Sequence, residues 1–210
     1  MEYQKIPNIY KRETFGKNNL IIGDFTSDEL AYLKDNEWFF TEKVDGTNIR
    51  VIWDGYRVEF RGRTDKAQIP KQLLEKLEEL FGGESKEELF ESTFGKKNVI
   101  LYGEGYGGKI QGGGGYGDTD FILFDVMVDG WWLSRADVVE VSVVLDINVV
   151  PYLFSGSLED GVDFIKSRPK SELRDSELEG IVGQTCVPMY NRKGERIIVK
   201  IKCRDFPKEG

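Results

Sequence analysis

Histidine is absent from the 210 residues. That removes Ser-His-Asp and Cys-His nucleophile systems, His-Glu-x-x-His metalloproteases and most zinc catalysis. Acid-base and nucleophilic work must fall to carboxylates and lysines. Cysteine is scarce: Cys186 and Cys203 lack metal-ligand spacing, read as thiols of core strands and fit a reducing compartment. No apolar run reaches the length of a membrane span, and the N-terminal MEYQKIPNIY lacks the apolar core of a signal peptide. The expectation is a cytoplasmic protein with no membrane partner. Positive charge is also short: the net charge is −8. This argues against non-specific nucleic-acid binding but leaves room for a local basic patch. At 24.0 kDa, with 40% hydrophobic residues, the chain suits one domain with a full core, or one domain and a small appendage.

Against these absences stands the stretch Thr41-Glu42-Lys43-Val44-Asp45-Gly46-Thr47-Asn48. A lysine attacks a phosphoryl or carbonyl centre only as the free amine, so Lys43 as a nucleophile needs burial or neighbouring cations. Asp45-Gly46 reads as a tight turn in which glycine lets the backbone approach a ligand. A lone K-x-D-G is more often a hairpin with a solvated lysine, so the rest of the chain has to decide.

Residues 1–26 read as irregular. Ser27 reads as the cap of a helix to Lys34, followed by strands over 37–43 and 48–53. Asp54-Gly55 signals a hairpin into a return strand over 56–61, with Val58 and Phe60 on one face and Arg57, Glu59 and Arg61 on the other. Pro70 opens an amphipathic helix, and Ser85 with Glu88 reads as a capping box for a second. A strand over 98–104 ends on the carboxylate of Glu104. The glycine-rich loop after it lacks the Gly-Lys-Ser/Thr ending of a P-loop and reads as a flexible loop governing substrate access. The run Phe121–Val128 is too apolar for an edge strand. Ser134 caps a segment to Leu145 of either type, Pro151 interrupts the chain, and Ser157 with Asp160 opens a helix to Ser167. A final hairpin pairs Glu179–Val182 with Arg196–Lys202. There Lys200 and Lys202 share a face and Glu179 lies across from them.

TEKVDGTN, FRGRT, LYGEGYG, FILFDV, LEGIV and IVKIK, in that order from about Phe40 to Phe206, resemble the motifs of covalent nucleotidyltransferases. They are most similar to the RNA ligase 2 family of ATP-dependent RNA ligases. The resemblance implies an α+β nucleotidyltransferase fold, a ligase adenylation domain of ATP-grasp-like type, with antiparallel β-sheets and flanking helices around an ATP cleft. It implies a single domain over 1–210, without a C-terminal OB-fold or other appended domain. Lys43 would attack the α-phosphate of ATP and hold AMP. Glu42, Asn48, Arg63, Glu104, Phe124, Glu179, Lys200 and Lys202 would bind the nucleotide, with Phe124 stacked on the base. Glu104, Glu179 and Asp45 would hold Mg²⁺ or Mn²⁺. The substrate would be RNA with 5′-phosphate and 3′-hydroxyl ends, as in a nicked duplex, in RNA repair, with an accessory protein aiding substrate binding. Alternatives are a DNA ligase or RNA guanylyltransferase using the same lysine, or a catalytically idle nucleic-acid-binding module.

Overall fold

The computed structural model describes residues 1–112 and 114–206. The chain divides into two compact units: Met1–Tyr3 with Val44–Val150, and Gln4–Lys43 with the chain from Pro151.

In the second unit, Tyr10–Arg12 (β1) and Leu20–Phe25 (β2) pair antiparallel. This corrects the expectation of irregular chain over 1–26. The ribbon carries no clean alternation: Ile21 and Ile22 are exposed and the register shifts between Tyr10 and Arg12. An edge-on contact of Tyr10 with Phe25, 5.2 Å between centroids, packs its two strands together. The Ser27 hydroxyl caps helix α1 (Asp28–Tyr32) by accepting from the Leu30 amide. Strand β3 (Trp38–Glu42) follows, and its Trp38 and Phe40 are fully buried.

Strands β4 (Thr47–Trp53) and β5 (Val58–Gly62) open the first unit. Their connection is wider than the two-residue turn that Asp54-Gly55 suggests. Asp54 Oδ1 accepts from the amides of both Tyr56 and Arg57, each at 2.9 Å, and this Asx-type turn spends four residues. Helices α2 (Lys71–Phe81) and α3 (Glu84–Phe94) follow. The Ser85 capping box is not made, because Gly83 at φ +87 turns the chain into α3 early and leaves Ser85 inside the helix. Then come β6 (Val99–Tyr106), β7 (Asp120–Val128), β8 (Trp131–Trp132), helix α4 (Arg135–Val144) and β9 (Asn148–Val149). Ser134 and Asp137 form a reciprocal box that settles the 134–145 segment as helix despite its valines. The sheet order is β5-β4-β6-β7-β8, with β9 parallel to β7. Leu73, Leu77 and Phe81 of α2, one turn apart, close the core over Ile49, Val51, Leu101, Phe121 and Leu123.

The chain re-enters the second unit through β10 (Tyr152–Gly156), which the sequence reading missed, and helix α5 (Leu158–Lys166), capped by Ser157 and Asp160. Strands β11 (Gly180–Thr185) and β12 (Ile198–Lys202) complete an antiparallel sheet of order β10-β3-β11-β12. Trp38, Phe40, Leu158, Val162, Ile165, Ile181, Val199 and Ile201 form its core. In both units antiparallel sheets are flanked by helices, the α+β arrangement expected. No described helix is long and apolar enough to cross a membrane.

Candidate active site

Three neighbouring strand ends bring the lysines together. The Lys43 amide donates to Gly180 O at 2.9 Å, and Gly180 lies opposite Lys202 in the β11–β12 register. Lys43 and Lys202 therefore flank the start of β11, where Glu179 projects between them. Lys43 Nζ donates to Glu179 Oε2 at 2.7 Å and Lys202 Nζ to Oε1 at 2.6 Å. A Cβ on Gly180 would meet Ile201 O at 2.3 Å, so only glycine fits beside this pair. Burial pushes the Glu179 carboxyl up, but Lys43 and Lys202 outweigh it and hold the group below the ordinary carboxylate range. Lys200 sits two residues before Lys202 on the same face of β12. Its backbone is pinned on the far side, its amide donating to Pro7 O and its carbonyl accepting from the Ile9 amide. Burial, then the ammonium groups of Lys202, Lys43 and Lys5, push Lys200 below the ordinary lysine range.

Glu42 ends β3 with 2% exposure. Its carboxylate accepts from the Ser171 hydroxyl and, at 2.9 Å, from the Glu172 amide. Burial pushes its pKa up, and these two bonds offset only part of that. Ser171 and Glu172, in the loop between α5 and β11, were missed by sequence reasoning. Nothing local marks a serine as partner to a glutamate 129 residues away.

In the first unit, Asn48 lies opposite Glu104 across β4 and β6. Asn48 Oδ1 is buried without a protein hydrogen-bond partner, a cost normally met by a ligand or water. The Asp45-Gly46 turn is held by the glycine-rich loop: the Asp45 amide donates to the Tyr116 hydroxyl at 3.1 Å, and Gln111 Nε2 donates to Gly46 O. A Cβ on Gly46 would lie 2.2 Å from Gly105 O, so this turn demands glycine. The loop is therefore partly packing for the turn, a role its composition does not advertise. Phe124 is half-buried in β7 at a register shift and meets Tyr3 edge-on at 5.0 Å. Arg63 is exposed just past β5.

The proposed metal ligands are distributed: Glu179 belongs to the second unit, Asp45 and Glu104 to the first. Among the described residues no group of three or more carboxylates or thiols is gathered to hold a metal. So few carboxylates in either unit suit a cation that keeps most of its water and arrives with phosphate oxygens, as Mg²⁺ does. The lysine cluster fits a polyanionic nucleotide, and the Asn48 oxygen fits a hydrogen-bond donor.

Two antiparallel sheets with flanking helices and a lysine cluster at one sheet's strand ends define a nucleotidyltransferase-type fold. The family model for RNA ligase matches residues 36–202, and the chain belongs to that family. Solved structures share the fold. A variant RNA ligase from Naegleria gruberi in apo form superposes with a TM-score of 0.69 at 17% identity, over 97% of this chain and 56% of that one. A variant of the same ligase with ATP and Mn gives 0.68 at 18% identity, over 96% and 56%. The ligase with PPi gives 0.62 at 20% identity, over 83% and 51%. The chain thus spans about half the length of the ligases it matches. No curated protein matches it.

Proposed function

We propose that the protein is an ATP-dependent RNA ligase that seals 3′-hydroxyl and 5′-phosphate RNA ends through a covalent lysyl-AMP. The observation that carries this reading is the Lys43–Glu179–Lys202 arrangement, with Lys200 beside it, in a chain of the RNA ligase family. Lys43 Nζ would leave Glu179 Oε2, give up its proton to solvent water and attack the α-phosphate. An N–P bond forms, the P–O bond to pyrophosphate breaks, and AMP stays on Lys43. The 5′-phosphate of RNA would then take AMP to give AppRNA, and a 3′-hydroxyl would displace AMP to seal the strand. Phosphoryl transfer is mainly positioning and charge neutralisation. In this scheme Lys200 and Lys202 offset phosphate charge, while Glu179 aims Lys43 and Lys202. A carboxylate bridged by two ammonium groups has both oxygens engaged, so its part is orientation. Asp45, Asn48, Arg63, Glu104 and Phe124 take the nucleotide- and metal-contacting roles that the family resemblance implies. Mg²⁺ or Mn²⁺ would supply charge neutralisation on the departing pyrophosphate. The Naegleria gruberi ligase variants solved with ATP and Mn support both cofactors. The substrate we favour is a nicked RNA duplex, as in RNA repair in the cytoplasm, with an accessory protein aiding its capture.

Incubation with α-³²P-ATP and Mg²⁺, then denaturing gel electrophoresis, tests the first step. Acid-labile label should appear on the protein and vanish in Lys43→Ala, while that variant keeps some sealing of pre-adenylated ends. Label from GTP instead would move the assignment to guanylyl transfer. No label from either nucleotide on a folded protein would overturn the reading.

A further inference from the structure

The outer edge of the larger sheet carries a second cationic feature, separate from the lysine cluster. Strand β5 is the edge strand, and its inner residues Val58 and Phe60 pack on the core. Arg57, Glu59 and Arg61 alternate on its other face. Glu59 bridges the two arginines, Oε1 to Arg57 at 2.8 Å and Oε2 to Arg61 at 3.0 Å. One carboxylate orients two guanidinium groups and neutralises one of them. Both stay accessible, with side-chain exposures of 67% and 46%, and exposed Arg63 follows just past the strand. Asp54 adds a longer contact to Arg57, at 3.5 Å.

At the far end, Tyr56 is 71% exposed and Lys96 Nζ lies 5.2 Å from its ring centroid. Exposed Lys97 follows. This corner is built: Trp53 Nε1 donates to Gly95 O at 2.9 Å. Gly55, at φ +94, lies so close to Lys96 that a Cβ would meet its carbonyl oxygen at 2.9 Å. From Val58 to Gly62 the strand rises roughly 13 Å at ~3.3 Å per residue, with Arg57 just before it and Arg63 just after. Several nucleotides of a strand rising ~3.4 Å each fit along it.

We propose that this face, Arg57, Arg61 and Arg63 with Tyr56 and Lys96 at its end, is a track for the phosphates of the RNA strand. The tyrosine ring offers a stacking surface to an unpaired base. The proposal rests on the RNA-ligase reading and deepens it. It also gives an acidic protein of net charge −8 a defined place for RNA: four cations against Glu59, Asp54 and Glu87, whose carboxylate accepts from the Val58 amide. Glu59 acts here as an internal stand-in for phosphate, holding the arginines in the geometry a polyanion would take.

The test is equilibrium binding of a fluorescein-labelled nicked RNA duplex with a 5′-phosphate, across a salt series. Arg57→Ala/Arg61→Ala should weaken binding about tenfold at low salt. It should also reduce the slope of log affinity against log salt by about 1.5, the loss of two phosphate contacts. Glu59→Gln should tighten binding, because it removes the competing anion. Labelling of Lys43 by ATP, which needs no RNA, should match wild type in both variants. Wild-type RNA affinity in the double variant, with labelling intact, would overturn the track and leave the ligase reading standing. Weaker binding in Glu59→Gln would overturn it too, since the ladder would then be a structural ion-pair network. Absence of labelling in the wild type would instead strike the ligase reading itself.

Discussion

Glu179 is the residue on which the lysine cluster depends. Its carboxylate is nearly buried and spans two ammonium groups, so removing its charge leaves two cations facing each other in a partly dry site. Glu179→Gln should cost about 3 kcal/mol in urea unfolding at pH 7. The sign with pH follows from the depressed carboxyl. Its contribution is complete above the unfolded carboxylate range and is lost as pH falls through the lower folded value, so the difference between wild type and variant should shrink on acidification. Lys200 runs the other way. Its depressed pKa means that its charge opposes folding through neutral pH, a cost relieved only as pH rises through the folded value. Lys200→Met should therefore raise stability at pH 7, read by urea unfolding, while lowering ATP labelling, a trade of stability for function. Lower stability in that variant would show that Lys200 is held by favourable contacts. Much of this cluster was legible, because alternation along a strand fixes which lysines share a face. The Ser171 partner of Glu42 was not, since only tertiary folding brings it near.

The helices show how far local signals carry at the level of elements. Ser157 with Asp160 and Ser85 with Glu88 look alike in sequence, yet only the first is a working cap. The difference lies upstream: Gly83, at φ +87, enters the helix at an angle that side-chain-bearing residues rarely adopt, and the chain takes that route before Ser85 is reached. Ser157→Ala should cost about 1 kcal/mol in thermal or urea unfolding. Ser85→Ala should change stability by less than ~0.5 kcal/mol, because a helix-interior serine gains propensity as alanine. Equal losses at both sites would contradict the cap assignment. Strands with strong apolar runs, β3, β6 and β7, were readable. The β1–β2 ribbon, β9 and β10 were not, being short or held by a few contacts each.

Across the whole molecule, chain connectivity explains why the opening motif mattered. Lys43 is the last residue of one compact unit and Val44 the first of the other, and Val150–Pro151 marks the return. The proposed nucleophile thus stands at a crossing point, with Glu42 before it in the second unit and the Asp45-Gly46 turn after it in the first. Motif order was readable because these residues are contiguous; the assignment of residues to units was not, because it depends on which sheet each strand joins. The same division bears on the metal. Among the described residues no cluster of three carboxylates is gathered as a cage, and Glu179 is engaged by two lysines. Coordination would then have to come largely from nucleotide phosphates and water. Isothermal titration of the protein with Mn²⁺ should accordingly show no saturable binding without nucleotide at concentrations that support labelling. In the presence of a non-hydrolysable ATP analogue one site should appear, and EDTA should abolish labelling. Tight Mn²⁺ binding to the protein alone would show instead that Asp45, Glu104 or other carboxylates form a metal site before the nucleotide arrives.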